Sequence, residues 1–136
     1  MRAAARPDPH PPPAPLQIAL IASARHPIRD PFAGGLEAHT WTLSKELIAR
    51  GHEVTVFAGP GSDPALGVVE MPVRPPRISE AARWDASMVA PEWLEEHHAY
   101  LQLMLDLSHE PARYDIVHNN SLHYLPVAMA AALPVP

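Results

Sequence analysis

Two stretches of this chain carry residue types that can act on a ligand. The first is Gly34-Gly35, just ahead of a segment with helical periodicity that places Glu37 and His39 in its first turns. A helix N-terminus presents free N–H groups and the positive end of the macrodipole. Glycine lets an anion or a ligand hydroxyl come close to that backbone. The second stretch is Tyr114-Asp115-Ile116-Val117-His118, a strand pattern ending in an imidazole and followed by Asn119 and Asn120. A histidine there can donate to or accept from a hydroxyl, or orient a leaving phosphate. Each stretch also has a plainer reading: a tight turn onto the helix for the glycines, a satisfied strand-end side chain for His118.

Several other chemistries lack their pattern. The dinucleotide fingerprint needs G-x-G-x-x-G/A directly after a strand, whereas these glycines are adjacent and follow a proline-broken loop. There is no Gly-x-x-x-x-Gly-Lys-Ser/Thr run for a P-loop. Nine histidines invite a metal, but His97 and His98 are adjacent and point to different sides of a helix. His39 and His118 have no carboxylate-rich partner set, so no metal is expected. The absence of cysteine excludes disulfides, thiolate ligands and cysteine nucleophiles, and it fits a reducing compartment. The formal net charge is −5 and the basic residues are scattered, which argues against a nucleic-acid partner.

The elements that must position these residues read as an alternating series. Six prolines within Met1 to Pro15 predict an extended, unpacked tail, leaving residues 16–136 as the domain. Leu16 to Ala22 is a continuous apolar run, as expected of a strand buried on both faces. A helix follows from Gly34-Gly35, with Leu36, Thr40, Leu43 and Leu47 as its inner stripe and Gly51 just beyond its end. Glu53 to Ala58 and Gly67 to Met71 read as strands, with a loop between them. Ser79 to Val89 reads as a short helix. Pro91 opens a longer one to about His109, with a stripe of Leu94, Leu101, Met104, Leu105 and Ser108. After the strand at Tyr114–His118 comes a last helix, Tyr124 to Leu133.

Alternation of this kind predicts an α/β, Rossmann-like parallel sheet with helices on both faces. Such sheets bind ligands beyond the carboxyl ends of their strands, where strand order reverses. The loops Ser23–Gly35 and His118–His123 are therefore expected to face each other across one groove, with the paired glycines and His118 meeting there. No apolar run reaches the ~20 residues of a membrane span. A cytoplasmic protein, at most peripheral to a membrane, is the expectation.

The joint pattern of Gly34-Gly35-Leu36-Glu37-Ala38-His39, Leu43 to Leu47, Ala49-Arg50-Gly51-His52-Glu53-Val54-Thr55-Val56 and Tyr114 to Asn120 resembles the amino-terminal domain of family-4 retaining glycosyltransferases. The resemblance runs from about Leu16 to Pro136. It implies the first half of a two-domain GT-B fold, incomplete at its carboxyl end. It also implies metal-independent sugar transfer to an acceptor hydroxyl from a nucleotide-sugar, with a UDP-sugar the expected donor and no cofactor. By position, Gly34 and Gly35 map to the loop near the donor phosphates. His118 maps to a catalytic position, and Glu37, His39, Asn119 and Asn120 to the acceptor side. Family members often carry a histidine where Asn120 stands here. The resemblance places the main donor grip in a carboxy-terminal domain outside these residues, so a missing partner domain, self-association and negligible activity of the isolated chain are expected. The alternatives are a non-catalytic Rossmann-like sugar- or nucleotide-binding or interaction module and an unrelated nucleotide-using α/β enzyme such as an epimerase or reductase. NAD binding separates the last.

Overall fold

The apolar runs that read as strands pair in parallel. A computed structural model describes residues 14–110 and 113–136. The expected proline-rich tail lies, but for Ala14 and Pro15, outside the described residues. The described elements are β1 (Gln17–Ile21), α1 (Gly35–Ala49), β2 (Glu53–Ala58), a 3-10 turn (Pro64–Leu66), β3 (Val68–Glu70), α2 (Glu80–Arg83), α3 (Pro91–His109), β4 (Ile116–Asn119), α4 (Tyr124–Ala128) and a second 3-10 turn (Ala130–Ala132). The strand order is β3-β2-β1-β4 and every pairing is parallel. The reversal thus falls between β1 and β4, as expected of a Rossmann-like sheet.

Period-two alternation divides the central strands between two apolar layers. Ala19, Ile21 and Phe57 pack with Tyr100, Leu103, Met104 and Leu107 of α3. Leu20, Ala22, Val56 and Ala58 pack on the other face with Ile28 and Leu66, and with Trp41 and Leu43 of α1. Because both faces are covered, β1 is a continuous apolar run rather than an alternating one. Its residues Ile18 to Ile21 are all buried.

α1 ends as its sequence indicated. Gly51 takes φ 88° just past the cap. The Gly51 N–H donates to the Ile48 carbonyl and the His52 N–H to the Leu47 carbonyl, the paired bonds of a Schellman stop. The inner face of α1 keeps Thr40 of the expected stripe but not its leucines. Its buried residues are Glu37, Thr40 and Ser44, while Leu36, Leu43 and Leu47 are only half-buried at the flanks. The small hydroxyl residues can face the sheet because they satisfy themselves locally. Thr40 Oγ1 donates to the Leu36 carbonyl and Ser44 Oγ to the Thr40 carbonyl, both at 2.8 Å.

Three further expectations shift. In α3 the buried stripe is Ala99, Tyr100, Leu103, Met104 and Leu107, with Leu105 39% exposed. The expected stripe shares Met104 with it and is otherwise rotated by about one residue, because it leaves out Ala99 and Tyr100. The segment Ser79–Val89 is helical only over α2. Asp85 Oδ1 accepts from both the Ser87 N–H and Oγ, a local turn that competes with continuing the helix. The last helix is regular only to Ala128 and tightens into the 3-10 turn beyond Met129.

Candidate functional site

The backbone leaving β1 is gripped from two sides. The Tyr100 hydroxyl, buried on α3, donates to the Ala22 carbonyl at 2.9 Å and accepts from the Ala24 N–H at 3.0 Å. Behind it, the Gly59 N–H donates to the Ser23 carbonyl at 2.9 Å. A Cβ on Gly59 would stand 2.5 Å from the Ala24 oxygen, so the two loops meet this closely only at glycine. Ser23 Oγ then accepts from the Arg25 and His26 N–H groups at 3.3 and 3.2 Å, a local turn that presents both side chains at the sheet's carboxyl edge. Buried Ile28 anchors the far end, its N–H donating to Ser62 Oγ.

The opposite loop is equally determined. Asn119 Oδ1 accepts from the Ser121 N–H and Oγ at 3.1 and 2.8 Å. The Asn120 N–H donates to the Ile21 carbonyl, and its Nδ2 donates to Thr40 Oγ1 at 2.7 Å. Asn120 thereby ties the end of β4 to α1. His123 caps α4, with Nδ1 accepting from the Leu125 N–H at 3.3 Å. This leaves the ring hydrogen of the neutral form on Nε2. The imidazole stacks on Tyr100 at 4.5 Å and on Tyr124 at 4.9 Å. The series continues outward, with the Tyr124 hydroxyl 3.1 Å from His97 Nδ1 and the His97 ring stacked on Trp93 at 4.7 Å.

Between these loops lies a cleft of about 380 Å³. Ser23, Arg25 and His26 line it from the first loop, Leu36 and Glu37 from α1, Glu96 and Tyr100 from α3, and Leu122 and His123 from the second loop. Arg25 Nε donates to Glu96 Oε1, and this contact holds the guanidinium firmly charged. Burial raises the Tyr100 hydroxyl above its ordinary range, so it stays protonated. Burial lowers His123, with His97 adding to the effect and Glu96 opposing it. The imidazole is therefore a neutral ring, and its Nε2 is buried without a hydrogen-bond partner among the described residues. Glu37 is 5% exposed, lines the cleft, and makes no side-chain hydrogen bond or ion pair among the described residues. A groove of about 480 Å³ adjoins, sharing Arg25 and Glu96 and bounded by Trp93, Val73 and Ala90. The ends of the irregular 72–90 segment thus border this second groove. Among the described residues no three or more His, Asp or Glu side chains gather to hold a metal ion.

The residues singled out in the sequence separate into two groups. Glu37 is in the cleft. Gly34 and Gly35 stand at the α1 terminus beside it, Gly34 as the N-cap and Gly35 as the first helical residue. An added Cβ on Gly34 would meet Glu37 Oε2 at 3.2 Å, whereas one on Gly35 would meet nothing within 4 Å. The other four do not line the cleft. His118 pairs in register with Leu20, whose side chain is in the α1-side layer, while Val117 packs into the α3-side layer. Strand alternation therefore turns His118 to the α1 side, where it is exposed. The cleft is lined by neither the paired glycines nor His118. His39 is exposed on α1, and Asn119 and Asn120 are committed to the backbone turn and to Thr40. The loops carrying Ser23, Arg25, His26 and His123 face each other across one groove as expected, but the sequence reading missed Glu96 and Tyr100 of α3 between them. The i, i+4 spacing of Glu96 and Tyr100 marks one helix face, but nothing local shows that this face meets the exit of β1.

Comparison with known families bears on this arrangement. The family model described as Glycosyltransferase Family 4 matches residues 33–136, from just before the paired glycines to the last residue. No curated protein matches the chain. No helix among the described residues is long and apolar enough to cross a membrane. A parallel sheet reversing between β1 and β4, a glycine-led α1 at its carboxyl edge and a family match over most of the chain agree: the chain belongs to Glycosyltransferase Family 4.

Proposed function

We propose that this chain forms the acceptor-side half of a GT-B glycosyltransferase, whose cleft holds the hydroxyl that receives a sugar from a nucleotide-sugar donor. The observation that carries the reading is the position of the polar cleft. It lies beyond the carboxyl ends of β1 and β4, at the reversal of strand order where open parallel sheets hold their ligands. Its lining suits a hydroxylated ligand. Glu37 accepts hydrogen bonds, Arg25 and His26 can donate, and the His123 and Tyr100 rings form an apolar wall against a sugar's C–H face.

The backbone at Gly35 stays open toward the space beyond α1. In this reading it accommodates the donor diphosphate, while a second domain supplies most of the charge that steadies the leaving group. The donor is a nucleotide-sugar, a UDP-sugar by expectation, and no metal or cofactor takes part. The test is a pair of measurements on the 136-residue chain. Titration with UDP-glucose, free glucose and NAD is expected to show sugar binding at the cleft and none for NAD. A transfer assay is expected to give negligible turnover. Clear NAD binding, or sugar binding only at sites remote from Tyr100 and His123, overturns the reading.

A further inference from the structure

The glycine pair at the start of α1 invites an anion, but the chain has already put one there. Glu37 occupies the third helical position, at the positive end of the helix, and is 5% exposed. Its carboxylate sits against Gly34, where a Cβ would be only 3.2 Å from Oε2. Gly34 has an extended backbone, φ −166° and ψ −174°, which any residue adopts. A side chain at this position would crowd the Glu37 carboxylate. Across the cleft, Glu96 supplies a second carboxylate against the single guanidinium of Arg25, which it already pairs. A carboxylate largely shielded by protein gains from a group that donates to it. Glu37 lines the cleft, so a ligand held there can donate to it.

We infer that Glu37 is the specificity determinant of the acceptor compartment: it accepts a hydrogen bond from an uncharged acceptor hydroxyl and turns away acceptors that bring a phosphate or carboxylate to the same place. This rests on the cleft being the acceptor site. A hydroxyl can donate to Glu37, whereas an ionised phosphate cannot donate and meets the repulsion of the Glu37 carboxylate, which no cation pairs among the described residues. Gly34 seats this carboxylate, and Gly35 alone is left with an open backbone for a donor.

Nuclear magnetic resonance titration of the 136-residue chain tests the idea, with D-glucose and D-glucose 6-phosphate as probes and the Tyr100 and His123 amides as reporters. Glucose is expected to bind at least ~10-fold more tightly than its phosphate. Glu37→Gln keeps the shape and the acceptor oxygen but removes the charge. It is expected to bring the two probes to within about 3-fold of each other. Dispersed amide spectra for E37Q show that the fold is kept. Glucose 6-phosphate binding the parent chain as well as glucose, or discrimination surviving in E37Q, overturns this inference and leaves the cleft reading standing. Silence of both reporters toward both probes overturns the cleft reading and this inference together.

Discussion

The two walls of the cleft are built on opposite plans. The α3–α4 wall is tied into the fold: Tyr100 makes two hydrogen bonds to the β1 exit, His123 caps α4 and stacks on two tyrosines, and Glu96 is paired with Arg25, which leaves His123 Nε2 as the one cleft atom buried without a partner among the described residues. The α1 wall is incomplete: Gly35 has an open side and Glu37 has no partner among the described residues. Side chains that have spent their hydrogen bonds on the protein hold shape, and those that have not are free to hold a ligand. Substitutions in the first wall should therefore act mainly on stability, and those in the second mainly on binding.

The largest effect is expected where the first wall meets the sheet. Tyr100→Ala removes a buried aromatic ring and both bonds that fix the β1 exit, at a cost of about 3–5 kcal/mol. Tyr100→Phe keeps the ring but leaves the Ala22 carbonyl and Ala24 N–H unsatisfied, at about 1–3 kcal/mol. Urea denaturation of the two variants separates packing from hydrogen bonding. If Tyr100→Ala were to unfold at nearly the parent midpoint, this wall would not be the rigid one.

On the second wall, the adjacent glycines should respond in opposite directions. Gly34→Ala crowds the Glu37 carboxylate and is expected to cost about 1 kcal/mol. Gly35→Ala adds a methyl group to open space at a helical position, and is expected to raise stability by about 0.4–1 kcal/mol. The same methyl group stands where a ligand would approach, so Gly35→Ala should be the variant that gains stability and loses donor binding. A common sign for the two stability changes would dissolve the distinction.

The same contrast explains what the sequence could reveal. Strand and helix identities were legible because each is signalled locally: the apolar run of β1, Pro91 opening α3, Gly51 closing α1. Glu37 and the glycines were legible as site residues for the same reason, since a helix start carries its own chemistry. The other wall was not. Glu96, Tyr100 and His123 belong to elements far apart in the chain, and their meeting depends on where α3 crosses the sheet. His118 misled because a strand end was located to within a residue or so, and one residue decides which face a strand side chain occupies. The inner face of α1 was legible at Thr40 but not at Ser44, whose burial depends on a hydroxyl bonding within its own helix, which apolar periodicity does not register.

His123 supplies a pH signature for the rigid wall. Burial holds its folded-state value below the ordinary histidine value of 6.5. Between those two values the unfolded chain binds a proton that the folded chain does not, so stability rises with pH there. The contribution is fully present above pH 6.5 and is lost as pH falls through the folded-state value. Glu96 and His97 face the ring with opposing influences, and their sum leaves the direction downward. His123→Asn preserves a side chain able to cap α4 but removes the titrating ring. The stability difference between parent and variant is expected to shrink as pH is lowered from 7 toward 5. The histidines that do not face this ring are common to both chains and cancel in that difference. A pH-independent difference would mean that the ring titrates as it does in water.

The smallest effect is also the sharpest discriminator between the two histidines. His118 is exposed and turned to the α1 side of β4, outside the cleft. His118→Ala is therefore expected to change stability by less than ~0.5 kcal/mol, the usual range for a surface position. It should also leave sugar-induced shifts at Tyr100 and His123 unchanged. His123→Ala removes the stack and the α4 cap together, and should reduce those shifts while lowering stability by about 1 kcal/mol or more. Loss of sugar binding in the first variant and not in the second would return the ligand to the end of β4. That result would mean the cleft takes its function from strand position and not from the stacked wall.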